Sequence, residues 1–350
     1  METDSQMAFD SKLSLERTAQ EVVNGTPLSP ATQERFEKLL VDIESNIRIA
    51  MDDEPCNTSR TIKVVLDIPP RKQWKNGHGY CGETSIQAIG LYYGSWVSQH
   101  IVRQIFGGEV LIGFGTDKRT LKTLLFTYNE WNYNKEKQPH YKQYCVWLKQ
   151  NLIKKHPCIT TVYLKDDDDD KDYDHIMPVI GIEYQTKDAY DGNDVLYFHN
   201  LFDNRVIQRR LDAMGSTRKS CKKDLYEGGC IPKDVAYGLA VTGIIDNDHS
   251  TLPVRLSVNS WDEPNISRGA KTKLLQGTVV VSNLRPNQKY VLLRYDDYKV
   301  VPTSGNESKF LNSKYDYRYD FQANGDTWTF NDPNDIPSNG TIYYRCVKFV

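Results

Sequence analysis

A polar break near residues 246–253 separates two kinds of sequence pattern in this chain. Before the break, segments with helical periodicity are followed by short apolar runs, whereas after it every apolar run is short and alternates in the manner of a β-strand. The alternating runs lie at 254–258, 277–281, 289–294, 317–321, 327–330 and 341–347. We therefore predict an α+β protein, with a mixed domain at 56–246 followed by an all-β sandwich domain at 247–350.

The mixed domain is expected to place its helices first and an antiparallel sheet second. Helical patterns cover 84–96 and 144–154, and strand patterns cover 62–68, 158–164, 176–184, 195–199 and 206–211. Within the second region, the segment from Val281 to Tyr290 resembles the corner between loop and strand in fibronectin-type sandwiches.

The first 55 residues carry two further patterns. Residues 1–28 are polar and without period, which predicts a disordered or extended segment. Ser29 and Pro30 then resemble a helix N-cap and a first helical residue. Apolar residues follow on one helical face at Phe36, Leu39, Leu40, Ile43 and Ile47. We expect an amphipathic helix over 29–55 that docks on the next domain, a pro-segment or a dimerisation helix being the alternatives.

Length and charge limit the classes of function. The 350 residues exceed one ordinary core, and 39% hydrophobic with 26% charged residues is typical of a soluble protein. A net charge of −2 gives no field that favours nucleic acid, and no apolar run reaches the roughly 18 residues needed to span a bilayer. Without the apolar stretch of a signal peptide, the default expectation is a cytoplasmic chain, and a secreted or lysosome-like one if a leader has been removed.

The seven cysteines form no CxxC pair, so neither a structural zinc site nor any other metal or cofactor is predicted. An odd count fits one functional thiol with up to three bridges, and it fits seven free thiols equally well. Cys221 and Cys230 bracket a short loop and are the best disulfide candidates in an oxidising compartment.

Cys81 stands where a reactive thiol is expected. The loop Asn76-Gly77-His78-Gly79 leads into it, and a predicted helix begins at or just after it. A helix N-terminus lowers the pKa of a thiol, so we expect a lowered pKa here. Gly82 would let the backbone pack closely behind the sulfur. The Cys81 N–H and the side-chain amide of Gln73 are candidate donors to an oxyanion.

His175 is the leading candidate for the base, because it opens the apolar strand pattern at 176–184 and a half-desolvated ring there is held in one tautomer. His199 is the second choice. Asn200, at the end of the following strand, is favoured over Asp203 as the residue that orients the imidazole. Either of the two also fits an ordinary turn residue.

An acidic run at 166–170, continued by Asp172 and Asp174, precedes His175. Its usual role is a solvated loop. The functional hypothesis is that it borders a cleft, favours basic peptide or protein substrates and stabilises the imidazolium. The aromatic residues of the sandwich are expected in its core, and its ligand is left unassigned.

Together these motifs resemble the papain-like cysteine peptidase superfamily, and most closely its bacteriocin-processing-like (double-glycine peptidase-like) branch. The matching elements over roughly 60–240 are the Gln73 loop, Tyr80-Cys81-Gly82-Glu83-Thr84-Ser85, Tyr92-Tyr93-Gly94, His156-Pro157-Cys158-Ile159 and Asp174-His175 before Val179-Ile180-Gly181-Ile182. The Gln-to-Cys spacing is longer than in papain, and Asn200-Leu201-Phe202-Asp203 replaces the usual Asp-Pro.

The resemblance implies a helical half facing an antiparallel sheet, with Cys81 and His175 meeting across a cleft. It also implies hydrolysis of an amide bond through a thioester. Two alternatives stay open: acyl transfer of the transglutaminase or ligase type by the same centre, and an inactive binding protein whose sandwich carries the function.

Overall fold

The chain forms α-helices and mostly antiparallel sheets across the part that the computed structural model describes, which confirms the α+β class. The described residues are 61–74, 79–136, 140–165, 173–203, 205–224, 226–259 and 274–349. The segments predicted at 1–28 and 29–55 lie outside them, as do Cys56, His78 and the acidic residues 166–170 and Asp172.

The α-helices of the described residues are α1 Cys81–Tyr92, α2 Gln99–Phe106, α3 Thr116–Thr123, α4 Tyr141–Ile153, α5 Leu211–Met214 and α6 Glu307–Leu311. The strands before the polar break are β1 Ile62–Val65, β2 Ser95–Val97, β3 Phe126–Asn132, β4 Cys158–Val162, β5 His175–Tyr184, β6 Val195–His199, β7 Val206–Arg210, β8 Gly215–Ser216, β9 Ile231–Pro232 and β10 Tyr237–Ile244. Those after it are β11 Thr251–Leu252, β12 Val254–Val258, β13 Leu274–Leu275, β14 Gly277–Ser282, β15 Lys289–Tyr295, β16 Tyr317–Gln322, β17 Thr327–Asn331, β18 Ile336–Pro337 and β19 Thr341–Lys348.

The first region is organised around β5, the central strand of a seven-stranded sheet ordered β3-β10-β4-β5-β6-β7. On one side of β5, β4 pairs with its first half and β1 with its second half. On the other side, β6 pairs only from Val179 onward. Among the described residues, no strand therefore pairs with the start of β5 on that side. Gly181 permits the approach of β1, because a Cβ there would lie 2.7 Å from the carbonyl oxygen of Val64.

Helix α1 is buried on all sides, with every residue from Gly82 to Tyr92 inside the protein. It packs against β5, β2 and α2. The predicted extension of this helix to residue 96 is wrong. Gly94 has a positive φ of 72° and reverses the chain, and a Cβ there would lie 2.7 Å from the Val254 side chain. Residues 95–97 consequently form β2, which pairs with the C-terminal strand β19.

The two larger sheets of the second region are antiparallel, β11-β19-β15-β16 with β2 on β19, and β12-β14-β17. The short strands β13 and β18 form a further antiparallel pair. Buried residues of both sheets, among them Val279 and Val281 from one and Leu292 and Ile342 from the other, share one apolar cluster. The arrangement is therefore sandwich-like. Tyr290 closes a corner of the kind the sequence predicts, since its hydroxyl accepts a hydrogen bond of 2.9 Å from the N–H of Arg285.

The polar break is a packed corner of the chain. The Asp246 carboxylate accepts hydrogen bonds from the N–H and Oγ1 of Thr251, and it pairs with Arg345 of β19 at 3.4 Å. Across the same junction the Tyr343 hydroxyl donates to the carbonyl of Leu124. Contacts group residues 61–350 into one compact unit, so 246/247 as a domain boundary stays a prediction. Within the described residues, no helix combines the length and apolar character needed to cross a bilayer.

Candidate active site

Cys81 is the first residue of α1. The backbone N–H groups of Ile176, Gly82 and Cys81 itself lower the pKa of the thiol. Gly82 has the role that the sequence predicts, because a Cβ there would lie 2.3 Å from the carbonyl oxygen of Val110. The loop that carries Val110 therefore packs directly against the first turn of the helix.

The expectation of a lowered thiol pKa is nevertheless wrong. Burial, with a further contribution from the negative charge of Glu83, raises the pKa of Cys81 to about 12. The three N–H groups oppose this increase without reversing it. The thiol keeps its proton at neutral pH, although the side chain retains some access to solvent.

His175 is the first residue of β5. Its neighbour Ile176 belongs to the apolar cluster against which Cys81 packs, and the Ile176 backbone N–H lowers the pKa of the thiol. A contact between the imidazole and the sulfur stays a prediction. Only 4% of His175 is exposed, and burial lowers the pKa of its imidazole to about 3. Its ring packs against Phe202 with 5.3 Å between centroids. The imidazole is thus neutral and able to accept a proton.

Gln73 lies beside the loop that precedes Cys81. Its backbone N–H donates to the carbonyl of Leu201 at 2.6 Å. Its Nε2 is 3.8 Å from the position that a Gly79 Cβ would occupy, which places the amide next to the 79–81 loop. Within the described residues its Oε1 is buried without a hydrogen-bond partner. The amide therefore lies beside the loop before Cys81 with hydrogen-bonding capacity left unused at Oε1. Its role as an oxyanion donor stays a prediction.

Gln99, which sequence reasoning missed, holds the Gln73 loop against α1. Its Nε2 donates to the carbonyl of Lys72 at 2.9 Å, and its Oε1 accepts from the Trp74 N–H at 3.1 Å. The same oxygen accepts from Thr84 Oγ1 at 2.8 Å. Gln99 is fully buried, and buried polar side chains are normally hydrogen-bonded. Its partners are far apart in sequence, so no local pattern revealed the network.

Asn200 and Asp203, the two candidates for the third residue, occupy one turn after β6. Asn200 Oδ1 accepts from the Phe202 N–H at 2.8 Å, and its Nδ2 donates to the carbonyl of Tyr226 at 3.3 Å. Asn200 therefore fixes the turn that presents Phe202 to His175. Asp203 accepts from Arg205 Nε at 2.6 Å at the protein surface, and this pairing lowers the pKa of its carboxyl against the effect of partial burial. The role of Asn200 toward the imidazole stays a prediction.

His199 is buried at the end of β6, where burial lowers the pKa of its ring to about 4. Its Nδ1 has no hydrogen-bond partner among the residues that the structure describes. Asp174, which precedes His175, accepts from the Leu164 N–H and pairs with Arg218. This end of the acidic segment is thus neutralised, while the effect of residues 166–170 on substrates stays a prediction.

Glu83 and Arg103 form a pair beside Cys81 that the sequence did not reveal. Glu83 is 1% exposed, and its Oε1 accepts from Arg103 Nε at 2.8 Å and from the Val110 N–H at 3.3 Å. Burial raises the pKa of the Glu83 carboxyl, and the bonds from Arg103 oppose that increase. Arg103 lies 20 positions later in α2, so no local pattern connects the two.

Cys221 and Cys230 lie side by side as free thiols in a small cluster with Tyr163. Burial and the neighbouring Cys230 raise the pKa of Cys221 to about 12. The proximity fits the predicted pairing, and bond formation in an oxidising compartment stays a prediction. In the described residues no group of three or more His, Cys, Asp or Glu is arranged to hold a metal ion.

The start of α1, the start of β5 and the Gln73 loop thus carry a thiol, a neutral imidazole and an amide. These are the groups that nucleophilic attack on a carbonyl requires. Their meeting in one catalytic site stays a prediction. Comparisons with models of known protein families and with curated protein sequences find no match to this chain.

Proposed function

We propose that this chain is a cysteine peptidase that hydrolyses a peptide or amide bond through a thioester on Cys81. The observation that carries the proposal is the packing of Cys81, at the start of α1, against the apolar cluster that contains Ile176, the residue after His175. This packing brings the start of α1 close to the start of β5, although Cys81 and His175 are 94 positions apart in sequence (175 minus 81). Thiol, base and oxyanion donors would then share one site.

The neutral state of both groups determines how the first step would run. Burial favours a protonated thiol and an unprotonated imidazole. Attack of the sulfur on the substrate carbonyl carbon would therefore be coupled to transfer of the thiol proton to His175. The negative charge moves from sulfur to the carbonyl oxygen, where the Cys81 N–H and Gln73 Nε2 would donate hydrogen bonds.

The remaining steps return the centre to its starting state. The His175 imidazolium gives its proton to the leaving amine as the carbon–nitrogen bond breaks, which leaves a thioester on Cys81. A water molecule, deprotonated by His175, then attacks the thioester carbonyl, and the acid departs as the thiol is restored. In this scheme Asn200 holds the turn beside His175, through Phe202.

The proposal extends to the architecture. A helical segment with Cys81 at its start, facing an antiparallel sheet with His175 at the start of its central strand, supports a papain-like arrangement. The sandwich-like C-terminal region would be an accessory unit. It supplies β19, on which β2 and hence the end of α1 are fixed.

Peptide cleavage by the wild-type chain and by a variant that lacks the Cys81 thiol tests the proposed function. We expect the chain to cleave members of a mixed peptide library, detected by mass spectrometry, and Cys81→Ala to lose more than about a thousandfold in rate. Cys230→Ala is the matched control, because it removes another buried thiol away from α1. Equal activity of Cys81→Ala and the control would overturn the proposal. If products with an added amine replace hydrolysis products, the centre performs acyl transfer.

A further inference from the structure

A buried carboxylate lies two positions after the proposed nucleophile. Glu83 is 1% exposed in the first turn of α1, and its charge raises the pKa of Cys81. A thiolate at Cys81 would carry charge of the same sign. Two like charges in a buried site oppose each other strongly, so a reactive thiol there needs a compensating cation.

Arg103 of α2 contacts residues on both sides of Cys81 in the sequence. Its Nε donates to Glu83 Oε1 at 2.8 Å, and its Nη2 donates to the carbonyl of Gly79. Its guanidinium carbon lies 3.4 Å from the centroid of the Tyr80 ring. One side chain therefore fixes the residues immediately before Cys81 and neutralises the carboxylate after it.

The other charged or titratable groups of the elements around α1 have different neighbours. His175 of β5 packs on Phe202, and Asp117 of α3 accepts from the Gly113 N–H at 3.3 Å. From the Gln73 loop, Arg71 donates to Gln87 at 2.9 Å, farther along α1. His100 of α2 packs on Trp74, and Arg255 of β12 lies over Tyr92 at the opposite end of the helix. Among the residues that the structure describes, compensation of the Glu83 charge thus rests on Arg103.

We propose that Arg103 is a positioning residue for Cys81: it cancels the charge of Glu83 and holds Gly79 and Tyr80, so that the sulfur can become negative at the N-terminus of α1. The inference rests on the proposed thiol chemistry of Cys81. The guanidinium can serve both purposes because its planar fork donates in several directions while its face stacks on the Tyr80 ring.

The test is the pH dependence of alkylation of Cys81 by iodoacetamide, followed peptide by peptide with mass spectrometry. Glu83→Gln keeps the shape and removes the repulsion, so we expect the rate at pH 7 to rise about tenfold and the profile to move to lower pH. Arg103→Gln should move the profile to higher pH and slow the reaction about tenfold. The double variant should return the profile to near its wild-type position on the pH axis, while its rate stays below wild type because the contacts to Gly79 and Tyr80 remain lost. Arg103→Lys should lie between wild type and Arg103→Gln.

A purely structural role of the pair predicts profiles that keep their position on the pH axis. Circular dichroism of each variant identifies any loss of fold, and Glu83→Gln decides the direction of the shift even if Arg103→Gln does not fold. Shifts of both single variants in the same direction, or no shift in either, would overturn the inference while leaving a reactive, His175-dependent Cys81 intact. An inert Cys81 in the wild-type chain would instead overturn the proposed function and the inference with it.

Discussion

The candidate active site and the buried ion pair of α4 differ in how completely their buried polar groups are hydrogen-bonded. Lys149 is completely buried, and its Nζ donates three hydrogen bonds of 2.6 Å, to the carbonyls of Thr186 and Ala189 and to Asp194 Oδ2. Each of its three donors is therefore used. At the site, by contrast, Gln73 Oε1 is buried without a partner among the described residues, and Cys81 and His175 are held neutral.

This difference separates a group that stabilises the fold from groups kept ready for a substrate. A saturated buried ion pair anchors the loop before β6 to α4 and leaves nothing for a ligand to bind. Unused hydrogen-bonding capacity in a buried place costs stability, and proteins tolerate it where function requires it. Variants at the ion pair should therefore lose stability, whereas variants at the candidate active site should lose activity.

The largest effect on stability is expected at the ion pair. Lys149→Met leaves the Asp194 carboxylate buried without its cation, which should lower the free energy of unfolding by about 3–5 kcal/mol. Urea denaturation measures this loss. Lys142→Met, a change of another Lys on the same helix whose side chain is exposed, is the control and should stay within about 0.5 kcal/mol. A loss below about 1 kcal/mol for Lys149→Met would show that the ion pair does not have the stabilising role assigned to it.

Gln73→Ala should have the opposite effects: a large loss of activity and a small change in stability. Removal of one oxyanion donor is expected to lower kcat by about a hundredfold to a thousandfold, while the free energy of unfolding changes by less than about 1 kcal/mol. The small stability change follows because Oε1 has no partner to lose in the described structure. Steady-state kinetics and urea denaturation of the same sample separate the two quantities. A large loss of stability with unchanged kcat would assign Gln73 to the fold.

The two buried histidines, His175 and His199, should make the stability of the folded chain depend on pH. In the folded chain burial lowers the pKa of His175 to about 3 and of His199 to about 4, from an ordinary value of 6.5. Below pH 6.5 the unfolded state binds protons that the folded state does not, so stability falls as pH decreases from 6.5 toward 4. Each histidine should remove about 2 kcal/mol at pH 5.

Replacement of these rings tests that assignment. His175→Gln and His199→Gln should each flatten the decrease in unfolding free energy between pH 6.5 and 4, measured by urea denaturation at several pH values. His249→Gln is the control, because that histidine is exposed. An equally steep decrease in all three variants would show that other groups cause the acid sensitivity.

Local patterns predicted much of the fold. Residues 195–199 and 254–258 form strands with the predicted limits, and the helix predicted at 144–154 lies at Tyr141–Ile153. These segments have clear alternation or helical periodicity. β3 and β10 were missed, and β2 was included in a helix, because their identity as strands depends on partners far away in sequence.

The site was predictable to a similar extent. Cys81, Gly82, Gln73 and His175 were proposed from a loop before a helix and a histidine before an apolar strand, and their catalytic roles stay predictions. The raised pKa of the thiol was not, because it arises from burial and from Glu83. Such effects depend on three-dimensional packing, which residue types and spacing in one sequence do not specify.

The proposed function depends most on the pairing of Cys81 with His175. The rate at which a thiol reagent labels Cys81 tests this pairing directly. Wild-type protein and His175→Ala are treated with iodoacetamide at pH 7, and labelling of each of the seven cysteines is followed by mass spectrometry. We predict that Cys81 reacts fastest in the wild type and slows by about a hundredfold or more in His175→Ala, while the other cysteines are unchanged. A Cys81 that reacts no faster than Cys221, or at the same rate without the imidazole, would contradict the account.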